Sequence, residues 1–176
     1  GQGWAGVDVL MLAALLAVAF AAEVPMQLTV SAFALGAPIP LRNTCDAENV
    51  SPALAWSGVP TGARSLAIVV DDPDAPGGTW VHWLAWGLPP TSAGLPEGVP
   101  ADTPSPVQGT TSFKSVGWGG PCPPKGHGAH RYFFRLYALD TAVALPRGAT
   151  RAELDLAMKG HVLASAEHMG KYWRDR

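Results

Sequence analysis

The sequence predicts a mainly β fold, a β-sandwich with a peripheral helix. Its 20 glycines and 17 prolines fall between short apolar runs, which is the turn-rich pattern of an all-β chain. Residues 65–70, Ser-Leu-Ala-Ile-Val-Val, are apolar on both faces, so this strand should lie inside the sandwich. A chain of 176 residues is long enough for one domain with a sizeable core.

The predicted strands follow one another along the chain and end at turn-forming residues. They cover residues 26–33, 53–56, 65–70, 79–88 and 130–139. The first alternates with a period of two, and Ser57-Gly58-Val59-Pro60 ends the second. An Asp-Pro-Asp turn stops the third strand and Pro89-Pro90 stops the fourth, because proline cannot donate to a sheet ladder. Residues 91–113 are predicted to be mostly loop, and residues 117–128 are dense in glycine and proline.

One helix is predicted near the C-terminus, over residues 151–168. Thr150 and Glu153 have the spacing of a capping box, and apolar residues then recur with helical spacing to Ser165. This helix should cover one face of the sandwich. His161 and His168 are interpreted as packing or surface residues on it, because neither has a partner at ligand spacing.

The N-terminal stretch differs in composition from the rest of the chain. Residues 9–20 are uninterruptedly apolar but fall short of the about 20 residues of a membrane span. The run ends in an A-x-A cleavage pattern, Ala19-Phe20-Ala21, which predicts a signal peptide over residues 1–22 and a domain over 23–176. The protein would then be periplasmic or secreted. The alternative is a retained hydrophobic segment, either packed on the fold or touching a membrane, and without a signal the protein would be cytoplasmic.

Charge and cysteine content exclude two kinds of site. The net charge is -2 and the 12 Lys and Arg residues are scattered, which argues against nucleic-acid binding. Cys45 and Cys122 have no Cys-x-x-Cys neighbour, which argues against a zinc site built on them. In an exported protein they could form a disulfide; otherwise they would be buried thiols.

Polar residues at the ends of three predicted strands are the candidate site. They are Asp72, His82, His130 and Tyr132. Because side chains alternate across a strand, each is assigned to an apolar face; His82 is placed on the face of Leu84 and Trp86. If these faces share one core, the four side chains meet at its mouth and form a small pocket.

Such a pocket suits an anion. Imidazole and phenol groups can donate hydrogen bonds, and the glycines of residues 119–124 could turn backbone N–H groups inward as an anion-binding nest. Asp72 and Asp74 would hold the histidines in one tautomer and raise their basicity, so that a protonated histidine pairs with the anion. The competing interpretation is a turn-forming Asp-Pro-Asp and two ordinary core histidines.

Two long motifs carry a family resemblance. Asp72-Pro73-Asp74-Ala75-Pro76 with His82-Trp83, and Gly119-Gly120-Pro121-Cys122-Pro123-Pro124 with His130-Arg131-Tyr132, resemble the signatures of the phosphatidylethanolamine-binding family. The likeness runs over residues 28–174 and is closest to the bacterial and archaeal Raf kinase inhibitor-like branch. His127 departs from the family pattern by adding an imidazole to the loop.

The resemblance implies a Greek-key antiparallel β-sandwich and a ligand pocket. The ligand-binding residues carried over by position are Asp72, Asp74, His82, Gly120, Pro121, Pro123, His130 and Tyr132. A cis proline in or near the motifs is also expected.

The expected function is therefore binding of a small anionic ligand: phosphate, a phosphoryl head group or a carboxylate. The protein could regulate a partner kinase or protease, as members of the family do. No cofactor, metal or catalytic residue is assigned. The alternative is a metal- or His/Asp-dependent hydrolase that uses the same pocket.

Overall fold

The computed structural model describes residues 23–176, which form two antiparallel β-sheets. The strands are β1 (Gln27–Val30), β2 (Leu54–Ser57), β3 (Ser65–Asp72), β4 (Trp80–Leu88), β5 (Gly94–Leu95), β6 (Val107–Gln108), β7 (His130–Leu139) and β8 (Val162–Tyr172). A 3-10 helix covers Leu41–Asn43, and α1 covers Arg151–Met158. In this described part of the chain, no helix has the length and apolar character to cross a membrane. The predicted signal peptide or hydrophobic segment, residues 1–22, lies outside the described residues.

The two sheets enclose the main core. The smaller sheet has the order β1-β2-β5 and the larger one β6-β4-β3-β7-β8. Trp56 of the small sheet and Ile68, Trp83 and Phe134 of the large sheet belong to one buried cluster. The predicted mainly β, antiparallel sandwich is confirmed.

Strand β3 is buried on both faces, as predicted. All eight of its residues are buried. Ile68 belongs to the core between the sheets, whereas Val69 belongs to a second cluster on the outer face with Leu154 and Met158 of α1. The apolar run at 65–70 therefore reflects a central strand covered by a sheet on one side and a helix on the other.

The predicted helix is correct at its start and wrong in its length. Thr150 accepts a hydrogen bond from the Glu153 amide, and the Glu153 carboxylate accepts one from the Thr150 amide at 2.7 Å, which completes the capping box. The helix ends at Met158 rather than near residue 168, and Gly160 follows with φ of 80°. A left-handed glycine at this place stops the helix.

Residues 162–172 form strand β8 instead of the second half of a helix. β8 pairs antiparallel with β7 along nearly its whole length. Without it, the backbone N–H and C=O groups along that edge of β7 would lack partners, and this tertiary demand overrides a weak helical pattern. His161 lies exposed beside Asp140, and His168 is buried with Nε2 3.0 Å from the carbonyl oxygen of Phe33. Both are packing or surface residues, as predicted.

Two further features connect the loops. Cys45 and Cys122 form a disulfide, with 5.4 Å between their Cα atoms, which joins the loop after the 3-10 helix to residues 119–124. Within residues 23–176 the cis peptide bond precedes Pro106, so the expected cis proline does not lie in the Asp-Pro or Pro-Pro motifs.

Candidate functional site

A pocket of about 190 Å³ opens where β3, β4 and β7 approach residues 122–124. It is lined by Asp72, Ala75, Pro76, Trp80, His82, Phe113, Cys122, Pro123, Pro124, His130 and Tyr132. Asp72 ends β3, and His130 and Tyr132 lie at the start of β7 with buried side chains. The structure thus brings Asp72, His82, His130 and Tyr132 together in one pocket, as the sequence predicted.

A β-bulge sets the position of His82. Val70 of β3 pairs with Trp83 of β4, but the next residue of β3, Asp71, pairs with Val81. His82 is therefore an extra residue in β4 with no partner on β3. Such a bulge breaks the alternation of side chains along the strand.

The predicted face of His82 is wrong for this reason. Leu84 and Trp86 pack into the outer cluster beneath α1, not toward the pocket. The ring of His82 instead lies edge-on against Tyr132, with 5.1 Å between ring centroids, and edge-on against Phe113 at 5.4 Å. His82 reaches the pocket despite the assignment, because the bulge turns it to the other side of the sheet.

Asp72 and His130 form a buried pair. The Nδ1–H of His130 donates to Oδ2 of Asp72 at 2.7 Å, and both side chains are about 97% buried. The carboxylate thereby fixes the tautomer, as predicted for Asp72. The other ring nitrogen of His130, Nε2, lies 2.6 Å from Nδ1 of His127, which is exposed.

Asp74 lies outside the pocket and orients no histidine, contrary to the prediction. Its carboxylate accepts two hydrogen bonds from the Arg131 guanidinium, at 2.9 and 2.8 Å, and one from the Arg131 amide at 2.9 Å. These bonds from Arg131 lower the pKa of Asp74 to about 2. Its amide donates to Oδ1 of Asp72 at 2.8 Å, so Asp74 anchors the turn after β3 to the start of β7.

His82 presents an acceptor to the pocket rather than a charge. Its Nδ1 lies 2.5 Å from the carbonyl oxygen of Gly119 and therefore carries a proton. Burial lowers the pKa of His82 below its ordinary value, although the Gly119 carbonyl and Asp72 oppose that shift. A neutral ring with Nδ1 protonated has a lone pair on Nε2. The lowered pKa therefore disfavours the protonated, donating form that was expected of the pocket histidines.

Tyr132 supplies the donor. Its hydroxyl is buried and has no hydrogen-bond partner among residues 23–176. Burial, followed by the charge of Asp72, raises the pKa of Tyr132 far above its ordinary value, so the phenol keeps its proton. An unpartnered buried hydroxyl costs free energy unless something binds it.

The glycine amides of residues 119–124 do not form the predicted nest. The Gly119 amide donates to the His82 carbonyl at 2.9 Å, and the Gly120 amide donates to Oδ1 of Asn49 at 2.8 Å. The prolines have no N–H to offer. The two glycine amides are therefore not available to a ligand.

The predicted site residues of this loop divide into two groups. Pro123 lines the pocket, whereas Gly120 and Pro121 lie behind the wall and hold it in place. The Pro121 carbonyl accepts from the Cys45 amide at 3.1 Å. A Cβ on Gly120 would lie 2.3 Å from the carbonyl oxygen of Asn43, so only glycine fits there.

Sequence reasoning missed the aromatic rim of the pocket. Trp80 and Phe113 pack edge-on at 5.4 Å and remain 37% and 40% exposed. Trp80 begins β4, but Phe113 lies in the long loop, where no periodicity indicates which side chain folds back. No local signal could have identified Phe113.

The lining also bears on the hydrolase alternative. None of the lining residues is a serine or threonine, and Cys122 is held in the disulfide. Over residues 23–176, no group of three or more His, Cys, Asp or Glu side chains is arranged to hold a metal ion.

Comparison with known proteins places the chain among established relatives. The family model described as phosphatidylethanolamine-binding protein matches residues 29–173. The chain is 50% identical over 152 residues to a UPF0098 protein of Methanothermobacter thermautotrophicus, covering 85% of this chain and 99% of that protein.

Solved structures agree with this placement. A phosphatidylethanolamine-binding protein homologue from Chlamydia trachomatis is 41% identical with a TM-score of 0.79, and YbcL of E. coli is 35% identical with 0.80. Each match covers 86% of this chain and 99% of the other. Carboxypeptidase Y inhibitor complexed with its cognate proteinase is 17% identical with a TM-score of 0.50 and covers 85% and 83% of the two chains. That last likeness extends to the fold alone.

Proposed function

The chain belongs to the phosphatidylethanolamine-binding protein family, and on that premise we propose that its pocket binds a small anion. The ligand is a phosphate, a phosphoryl head group or a small carboxylate. The observation that carries the proposal is the buried hydroxyl of Tyr132, a residue of the pocket lining, because this hydroxyl has no protein partner among the described residues. An oxygen of the ligand would accept its hydrogen bond.

The other polar groups complement such a ligand. Nε2 of His130 is the ring nitrogen that Asp72 does not hold, so in the imidazolium form of His130, whose Nδ1–H is already donated to Asp72, it donates to a second oxygen. Nε2 of His82 is an acceptor, which suits the P–OH of a monoprotonated phosphate or the ammonium group of an ethanolamine head group. One anion can thus satisfy donors and an acceptor together.

Size and lining limit the ligand further. A cavity of about 190 Å³ is smaller than the roughly 300 Å³ at which pockets for drug-sized molecules begin, so a head group fits better than a whole lipid. Proline, alanine and aromatic side chains make up most of the wall. They would pack against the short carbon chain of a head group.

The test is Tyr132→Phe, titrated with O-phosphoethanolamine by calorimetry. We expect affinity to fall roughly tenfold to a hundredfold, because the variant loses a hydrogen bond to a charged acceptor. Its stability should stay equal or rise, since the lost hydroxyl has no partner in the described protein. Tyr137→Phe makes the same chemical change outside the pocket and is the matched control. Equal affinity for all three proteins contradicts the proposal.

We propose in addition that the exposed aromatic rim contacts a protein partner, a protease or a kinase. Trp80 and Phe113 keep more than a third of their surface exposed beside the pocket. For an exported domain a protease is the more accessible partner. The test is inhibition of a panel of serine proteases by the protein and by a Trp80→Ala/Phe113→Ala variant. Equal inhibition by both proteins, or no inhibition by either, contradicts the proposal that the aromatic rim contacts a protease.

Export itself belongs to the proposal. A disulfide such as that between Cys45 and Cys122 forms and persists mainly in oxidising compartments, and the apolar run at residues 9–20 favours a secretory route. Cell fractionation with thiol alkylation tests both parts. Protein found in the cytoplasm with alkylatable cysteines argues against export.

The hydrolase alternative has no specific observation in its favour. Its test is metal analysis of the purified protein: stoichiometric zinc or iron that survives dialysis would reopen it.

A further inference from the structure

His127 contacts His130, a residue of the pocket lining, at the ring nitrogen that a ligand would need. Its Nδ1 is 2.6 Å from Nε2 of His130. Because Nδ1 of His130 already donates to Asp72, Nε2 is the one nitrogen of that ring left for an anion. His127 thus occupies the position that a ligand oxygen would take.

Nε2 of His130 cannot bond to His127 and to an anionic ligand at the same time, as the number of available protons shows. Two ring nitrogens at 2.6 Å share one proton, so one of them donates and the other accepts. A proton on Nε2 of His130 points at His127 and not at a ligand; a proton on Nδ1 of His127 leaves Nε2 an acceptor. In both arrangements an anion must first separate the two imidazoles.

The chain around His127 permits that separation. The side chain is exposed, and it stands between Gly126, with φ of 74°, and Gly128, with φ of 87°. A Cβ on Gly128 would meet no atom within 4 Å, so there is open space next to the loop. The Gly126 amide donates to the carbonyl of Arg174 at 2.8 Å, which holds the start of the loop while the imidazole turns.

We propose that His127 competes with anions for His130, because a ligand reaches Nε2 only by displacing the His127 imidazole. This inference rests on the proposed anion-binding function and assigns one residue to the control of its affinity. A phosphoryl group has several oxygens and can take Nε2 of His130 and the Tyr132 hydroxyl together. A ligand with a single weak acceptor gains too little to displace His127.

The experiment compares the wild-type protein, His127→Ala and His161→Ala by titration with inorganic phosphate. His161 is an exposed imidazole paired with Asp140, remote from the pocket lining, and serves as the control. We expect His127→Ala to bind phosphate roughly twofold to tenfold more tightly than wild type, the worth of one displaced hydrogen bond, and His161→Ala to be unchanged. In wild type, imidazole NMR signals of His127 should move as phosphate binds.

The outcomes separate the two proposals. Binding that requires Tyr132 but is equal or weaker in His127→Ala overturns the role of His127 and leaves the anion pocket standing. Binding by His127→Ala when wild type shows none supports the role of His127. No binding by any of the proteins, with phosphate or with O-phosphoethanolamine, overturns the pocket and this inference with it.

Discussion

The pocket has two sides that are built in different ways. On one side, Asp72, His82, His130 and Tyr132 project from three strands that are joined by ladders of backbone pairs. On the other, residues 119–128 are a loop held by a disulfide and a few single hydrogen bonds. Strand pairing is redundant, because each bond is supported by its neighbours. On the loop side each bond acts alone, so that side can be loosened without unfolding the sheet.

The largest expected effect comes from breaking the loop side at its disulfide. Replacing Cys45 and Cys122 by serine opens a loop with a sequence separation of 77 residues, and the chain-entropy relation gives a loss of about 4.5 kcal/mol in unfolding free energy. Denaturant titration without reductant measures it. The wild-type protein with reductant should be destabilised as much as the serine variant, and an unchanged denaturation midpoint would falsify the prediction.

A substitution in the core of the sheet should lower the unfolding free energy by somewhat less than loss of the disulfide. Leu136→Ala leaves a cavity at a fully buried site of β7, and we expect the unfolding free energy to fall by about 3 kcal/mol. Leu156→Ala is the matched control: it removes the same atoms from a side chain that is 74% exposed on α1 and should change stability by less than about 0.5 kcal/mol. Similar losses in the two variants would show that the core assignment is wrong.

The pH dependence of stability tests the buried imidazole of the strand side. His82 has a pKa below its ordinary value in the folded protein, whereas the unfolded chain takes up the proton near pH 6.5. The unfolded state therefore binds more protons as pH falls below about 6.5, and stability falls with it, by at most about 1.4 kcal/mol per pH unit for one group. His82→Gln should flatten this dependence, and His161→Gln should not. A wild-type unfolding free energy that does not change from pH 7 to pH 5 would contradict this prediction for His82.

The smallest effect is expected at the exposed link between β3 and β7. Asp74→Asn weakens the bonds to Arg131, and the thermal midpoint should fall by no more than a few degrees, because solvent screens this pair. Above pH 4 the difference between variant and wild type should be constant. It should shrink as pH falls from about 3.8 toward 2, where Asp74 becomes protonated in the folded state too. Scanning calorimetry across that range measures it.

The sequence predicts those parts of the fold in which backbone regularity decides the outcome. β3 and β7 pair without a register shift up to Asp71 and Phe133, and β7 pairs regularly with β8 at His130 and Tyr132, so alternation places Asp72, His130 and Tyr132 correctly. Alternation fails for His82, because a bulge is a property of the strand pair and not of one strand. Helical periodicity, in turn, fails beyond Met158, where the chain pairs with the edge of β7 as strand β8. Phe113 enters the pocket through a loop, where only tertiary packing fixes the side chain.

Three of the predicted ligand residues in the two signatures do not line the pocket. Asp74 anchors a turn through Arg131, Gly120 fits closely against Asn43, and the Pro121 carbonyl accepts a hydrogen bond from the Cys45 amide. All three roles depend on partners far away in sequence. A motif alone therefore identifies the neighbourhood of the pocket and not its lining.

The extra residue in β4 has a consequence for how this strand can change over evolution or by engineering. Deleting one residue between Val81 and Trp83 would remove the register shift opposite Val70 and Asp71, and with it the position from which the His82 imidazole reaches Gly119. Adding one would push Trp83 out of the space between the sheets. A point substitution here changes one side chain, but a single-residue insertion or deletion moves the neighbouring side chains of β4 to the opposite face of the sheet, so that pocket residues and core residues change places.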